Sequence, residues 1–317
     1  MAKINEPYKC SFSISYAIAS RLSQATYELG KFSVLTKAKA GNEEFAQSAI
    51  YTLSMMGISL RNAEMRGLRQ GSPIPSTPLA YELFSLQKNI ARVDPYEKAI
   101  LQNFENALWK DGVPYRLSRK AEGFPYIVPM HARVEALMDG VFSFAKANKA
   151  KIHPLILSAV MLFEIMAIAP YREHNFIAGL YVAKAILVDY DPIFAYAPIE
   201  RFFFLKKEET DEVIAKSVEK GDMAPFLSYV LSLYEEALMY IRKYRSRPVT
   251  ASKQVEKLLS KMEEGKFYSA AEICELLGLK SRLGIQLNYI RPALEARVIV
   301  MSNPGAPTDR NQRYKKA

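Results

Sequence analysis

Cysteine and histidine are scarce in this chain of 317 residues, and their scarcity removes whole classes of chemistry. Cys10 and Cys274, the two cysteines, stand far apart among apolar neighbours. That excludes a disulfide framework and a cysteine-based zinc site, and it fits a reducing compartment. The three histidines, His131, His153 and His174, lack metal-ligand spacing. Long apolar runs are missing too. The longest, Leu155 to Ala169, falls short of the roughly 20 residues a spanning helix needs and carries Glu164 inside it. The opening residues, Met1 to Glu6, lack the basic-then-apolar build of a secretion signal. No internal repeat or low-complexity tract occurs. These absences predict a soluble, cytoplasmic protein with no membrane segment.

What is present is ordinary globular material. The chain is 50% apolar and 24% charged, long enough for a large core and for more than one domain. The formal charge of +10 suits either a polyanionic partner or a solvated basic surface. Apolar residues at three- and four-residue spacing predict helices over 10–33, 43–70, 78–110, 131–148, 154–168, 176–189, 198–220 and 222–245. The 154–168 helix is apolar on every side, as expected at the centre of a bundle. Between Asp111 and Met130 the texture changes to Gly, Pro and aromatics, which predicts a loop or short hairpin. The linker 246–252 then marks a domain boundary. Three regions follow: a helical region 1–110, a core 111–245 and a small module 253–317.

That module opens with an amphipathic helix. Ser269 with Glu272 reads as a capping box, Gly278 as a helix C-terminus and Ser281 as the cap of a second helix. Val298-Ile299-Val300 and the turn at Asn303-Pro304-Gly305 add a strand pair, so the order predicts a winged helix. Pro292 should kink or end the second helix. Ile285, Leu287 and Ile290 are expected to serve packing. Arg282, Arg291, Arg310 and Arg313 are the candidate DNA contacts.

The most unusual stretch is a polar clause, Tyr171-Arg172-Glu173-His174-Asn175, set between the two most apolar helices. Pro170 turns the chain, and Asn175 is a good N-cap for a helix starting at Phe176. A helix N-terminus attracts phosphate, and Glu173 beside it could hold Mg²⁺ together with nucleotide oxygens. By its own chemistry the clause reads either as a capped turn or as a nucleotide site.

The segment "HPLILSAVMLFEIMAIAPYREHNFIAGLYVAKAIL", residues 153–187, resembles the core of the Fic family. "GFPYIVPMHARVEALMDGVFSF" resembles that family's target-positioning flap and the helix after it, and the tail resembles the C-terminal extension of many bacterial members. The resemblance implies a mainly α, Fic-type helical bundle with a small β-hairpin flap (111–130) and a C-terminal winged-helix (α+β) domain. It also implies transfer of AMP from ATP to protein hydroxyls. The family motif, His-Pro-Phe-x-Asp/Glu-Gly-Asn-Gly-Arg-x-x-Arg, aligns without a gap on 169–180. There the general base is replaced by Ala169, followed by Pro170 and Tyr171. The acidic metal ligand and the asparagine are kept as Glu173 and Asn175. The two glycines become His174 and Phe176, where a side chain at positive φ would be strained. The two phosphate-binding arginines become Ile177 and Leu180.

An inhibitory helix of the family would align on Thr52, Met56 and Gly57, with Met56 where a Glu is expected. The resemblance therefore implies a pseudoenzyme. Its alternatives are residual nucleotide transfer through Glu173 and Asn175, or a DNA-binding regulator. No cofactor is expected, with ATP/Mg²⁺ only if nucleotide binding persists. The partners implied are a protein segment at flap residues 124–129, DNA at 253–317, or a second copy of the chain.

Overall fold

Helix forms through most of the described residues up to Arg245, and Gly or Pro stands at many of its breaks. The computed structural model describes residues 12–33, 41–109, 115–117, 126, 128–245, 253–279, 281–295, 298–303, 309 and 311–316. The chain divides into two units, Met1–Arg242 and Lys243–Ala317.

In the first unit the predicted helix over 43–70 is two helices, α2 (Asn42–Met55) and α3 (Asn62–Arg69), following α1 (Tyr16–Ser33). Gly57 makes the break. Its φ of +78° ends α2, and the Ile58 N–H returns 2.9 Å to the Leu53 carbonyl. The predicted helix over 78–110 also splits, into α4 (Pro78–Asn89), a 3-10 turn (Ile90–Arg92) and α5 (Ile100–Leu108). Asp94-Pro95 interrupts it, and the Asp94 carboxylate accepts the Tyr96 N–H at 2.9 Å. Then come α6 (Val134–Asn148), α7 (Pro154–Ile168), α8 (Asn175–Tyr190), α9 (Ile199–Leu205), α10 (Lys207–Lys220) and α11 (Ala224–Arg245). Most of the predicted flap lies outside the described residues. Residues 115–117, 126 and 128–130 are described and form no strand.

The centre of this unit is the α7–α8 pair. Every residue from Leu155 to Met166 is buried, so α7 has no polar face to turn outward. Gly179 lets α8 come close. A Cβ there would lie 3.0 Å from Leu162 Cδ1 and 3.3 Å from the Leu162 carbonyl oxygen. His153 caps α7, its Nδ1 accepting the Leu155 N–H at 3.2 Å. An ion pair is buried against this apolar centre. Lys184 of α8 donates to Glu200 of α9 at 2.7 Å and to the Ser48 hydroxyl of α2 at 2.6 Å, all three residues being nearly inaccessible. Pairing with hydrogen bonds is what makes such burial tolerable. No described helix is long and apolar enough to cross a membrane.

The second unit has its own core, built on Val255, Leu258, Ile273, Ile285, Ile290 and Tyr314. Its elements run α12 (Lys253–Lys261), β1 (Tyr268–Ser269), α13 (Ala270–Leu277), α14 (Arg282–Ile285), a π-helical turn (Gln286–Ile290), α15 (Arg291–Glu295), β2 (Ile299–Met301) and β3 (Arg313–Lys316). The sheet is antiparallel in the order β1-β3-β2. The capping box is present: Ser269 N–H donates to Glu272 at 2.6 Å and Glu272 N–H to Ser269 Oγ at 3.2 Å. Gly278 is left-handed, and Ser281 Oγ accepts the Gly284 N–H at 3.1 Å.

Two expectations are corrected here. Pro292 does not end its helix, because the π turn just before it widens the coil. The Arg291 N–H bonds five residues back, to the Gln286 carbonyl. Leu287 does not serve packing: it is 49% exposed and Leu283 is 70% exposed, whereas Ile285 and Ile290 are buried.

Candidate functional site

The polar clause joins α7 to α8, and its backbone follows from how α7 ends. Ala169 takes a left-handed conformation (φ 48°, ψ 66°), which costs about 1–2 kcal/mol for a residue with a Cβ. Its N–H bonds the Ile165 carbonyl at 2.9 Å, and Pro170 prevents another turn. The remaining carbonyls of the helix end would be buried without partners. Arg116 supplies them. Its Nε donates to the Ala169 carbonyl at 2.7 Å, and one terminal nitrogen donates to the Ile168 carbonyl at 3.2 Å and to the Pro129 carbonyl at 2.5 Å. Its backbone N–H donates to the Pro170 carbonyl at 2.8 Å. A guanidinium at the negative end of a helix is favourably placed. The Tyr126 hydroxyl completes the cover by donating to the Met166 carbonyl at 2.9 Å.

Tyr171 is fully buried in an aromatic nest of Phe104, Trp109 and Tyr115, with ring centroids 5.2 Å from Trp109 and 5.9 Å from Tyr115. Its hydroxyl donates to Glu105 Oε1 at 2.6 Å. Burial, and then the hydrogen bond to the Glu105 carboxylate, hold this phenol well above the ordinary tyrosine range.

Asn175 corrects an expectation. It is the first residue of α8 rather than the cap before it, and its side chain closes the loop. The Oδ1 accepts the Tyr171 N–H at 2.7 Å, and the Nδ2 donates to the Tyr171 carbonyl at 2.9 Å. Both halves of the amide are thus spent inside the loop, with Asn175 itself 1% exposed.

His174 takes the second left-handed position (φ 62°), so the demand for a glycine falls there. Phe176 lies in the first turn of α8 and escapes the strain expected of it. The His174 ring stacks on Trp109 at 6.2 Å and does not turn back toward Ala169. Burial lowers its pKa, opposed by the Glu173 carboxylate 3.9 Å away, so the imidazole is neutral at pH 7. Arg172 and Glu173 face solvent. Phe176 packs edge-on against Phe203 at 5.3 Å, while Ile177 and Leu180 are buried in the main core.

The structure thus brings Ala169, Pro170, Tyr171, Asn175, Ile177 and Leu180 into one buried framework and leaves Glu173 outside it. Among the described residues no cluster of three or more His, Cys, Asp or Glu side chains could hold a metal.

The other sequence-predicted sites lie elsewhere. Thr52 is buried and donates to the Ser48 carbonyl at 2.9 Å. Met56 is half-buried against the core at the end of α2, and Gly57 makes the break already described. Flap positions 124, 125 and 127 lie outside the described residues, as do Arg310 and the Arg282 side chain. Arg291 and Arg313 are exposed on α15 and β3. Sequence reasoning missed Arg116, Glu105 and Trp109. The available signal was one arginine of the basic stretch Arg116-Leu117-Ser118-Arg119-Lys120, and it resembles any solvated loop charge.

Comparison with known proteins adds the following. Residues 253–316 match the family model described as filamentation induced by cAMP protein Fic-like, C-terminal domain. A Fic family protein from Desulfovibrio desulfuricans has a similar structure, with a TM-score of 0.65 at 22% identity and 98% of each chain covered. A Fic domain containing signalling protein from Bacteroides thetaiotaomicron aligns over 72% of this chain and 98% of its own, with a TM-score of 0.51 at 13% identity. No curated protein matches the sequence.

Proposed function

Starting from a chain whose C-terminal match and structural neighbours support the Fic domain family, we propose that it is a regulatory Fic-fold protein that has given up AMP transfer. The observation that carries this reading is the self-closed loop. Asn175, which in an active motif would be available to a nucleotide, has both amide groups bonded to Tyr171. The position of the general base holds a buried alanine, which has no proton chemistry. Where two cations would grip phosphate oxygens, Ile177 and Leu180 sit in the core. Glu173 alone keeps a ligand suited to Mg²⁺, and ATP/Mg²⁺ would be a cofactor only if nucleotide binding has survived.

Incubation of the purified chain with labelled ATP, Mg²⁺ and candidate protein targets tests the reading. No transfer is expected, and Ala169→His alone should not restore any. Transfer that Glu173→Ala abolishes would overturn the proposal and favour an altered transferase.

A second reading concerns residues 253–316, which we take as a winged helix acting by contact. A helix, the strand β1, further helices and then the strands β2 and β3, the three strands lying in the order β1-β3-β2, support it. Exposed Leu283 and Leu287 favour a protein partner there over DNA. Duplex binding that weakens steeply with salt would instead favour DNA.

A further inference from the structure

A cavity of about 330 Å³ opens between α4 and α5, and its floor is Tyr181 of α8. Tyr181 is 5% exposed, with its ring stacked on Phe104 at 6.1 Å. Among the described residues nothing hydrogen-bonds its hydroxyl, and burial alone pushes the phenol up to about 12. The ring is buried while the hydroxyl, without a protein partner, stands open to the cavity, so whatever enters the cavity can hydrogen-bond it.

The rim limits what that is. Glu82 and Arg92 face the same space with opposite charges, and Arg92 is held by Asn89 Oδ1 at 3.2 Å. Their balance disfavours a phosphate, which needs an excess of cations, and equally an isolated cation. Asn103 and Asn106 each offer a donor beside an acceptor, the complement of a hydroxyl that both gives and takes a hydrogen bond. Leu86 adds an apolar wall for a C–H face. The volume stands at the lower end of small-molecule sites, about 300–1,000 Å³, so it suits one ring rather than a peptide or dinucleotide.

From this geometry we infer that the α4–α5 cavity binds a neutral, hydroxyl-rich ring, with Tyr181 as its anchoring hydrogen bond and Asn103 and Asn106 reading its hydroxyls. A free monosaccharide and the ribose of a nucleoside share that chemistry. The site is independent of the motif loop and does not require AMP transfer.

Calorimetric titration of the full chain with glucose, galactose, ribose and adenosine at millimolar concentration tests the inference. At least one should bind once per chain. Adenosine alone would identify a nucleoside, and a sugar alone would identify a free saccharide. Tyr181→Phe keeps the ring and the packing and should weaken binding about tenfold, the equivalent of one hydrogen bond. Asn103→Leu, on the exposed rim, should weaken it without affecting folding. Binding by none of the four, or binding that both variants leave unchanged, would overturn the inference.

Discussion

Replacing Asn175 by alanine removes two hydrogen bonds at once and strands a backbone N–H and a carbonyl of Tyr171 in a buried loop. Each stranded group costs about 1–3 kcal/mol, and the new cavity is small because only an amide is deleted. Relaxation of the loop returns some of this, so a loss of about 2–4 kcal/mol is expected, among the larger effects of a single substitution. Asn175→Asp is the sharper test. It keeps the acceptor for the Tyr171 N–H but sets a second oxygen against the Tyr171 carbonyl, so it should destabilise at least as much as alanine. A convenient probe is built in, because the single tryptophan of the sequence, Trp109, packs on both Tyr171 and His174. Urea unfolding followed by its emission reports the unit that contains the loop. If Asn175→Ala shifts the unfolding free energy by less than about 0.5 kcal/mol, the ordinary range for surface substitutions, the loop is not held as argued.

Two further outcomes are expected. His153 and His174 have pKa values lowered by burial, so the unfolded chain takes up protons first as pH falls through the ordinary value of 6.5. Stability should therefore be full above about pH 6.5 and decline below it, and His153→Asn, which keeps a cap without titrating, should flatten that decline in unfolding midpoints measured across the window. For the buried pair, Lys184→Met should cost about 3–5 kcal/mol by leaving the Glu200 carboxylate buried without a countercharge and with only the Ser48 hydroxyl bonded to it, whereas Lys184→Met with Glu200→Leu should recover most of it. A double-mutant cycle showing simple additivity would contradict the account.

The sequence made some of these elements readable and hid others, for physical reasons that differ. An all-apolar helix such as α7 can only be central, and a capping box such as Ser269–Glu272 is local, so both could be read directly. Gly57 and Asp94-Pro95 break the helices, but the apolar spacing continues across both and masks the breaks. The π turn that rescues Pro292 depends on one hydrogen bond slipping by a residue, which no periodicity records. The location of the polar clause was legible, but its internal arrangement was not. Asn175 has the composition of a cap, and only the fold of the loop aims its amide at Tyr171. Arg116 reaches Ala169 53 residues away, and Lys184 reaches Ser48 136 residues away as well as Glu200 16 residues on, all beyond the reach of a local pattern.

The distance between Arg116 and Ala169 has a consequence for how the protein assembles. The α7–α8 hairpin is a local structure and can form quickly, but its carbonyl-edged turn stays incomplete until a segment 53 residues upstream arrives. Closing the turn is coupled to the docking of the chain around residue 116. Loss of the Arg116 side chain would leave the Ile168 and Ala169 carbonyls without their donor while leaving the two helices formed.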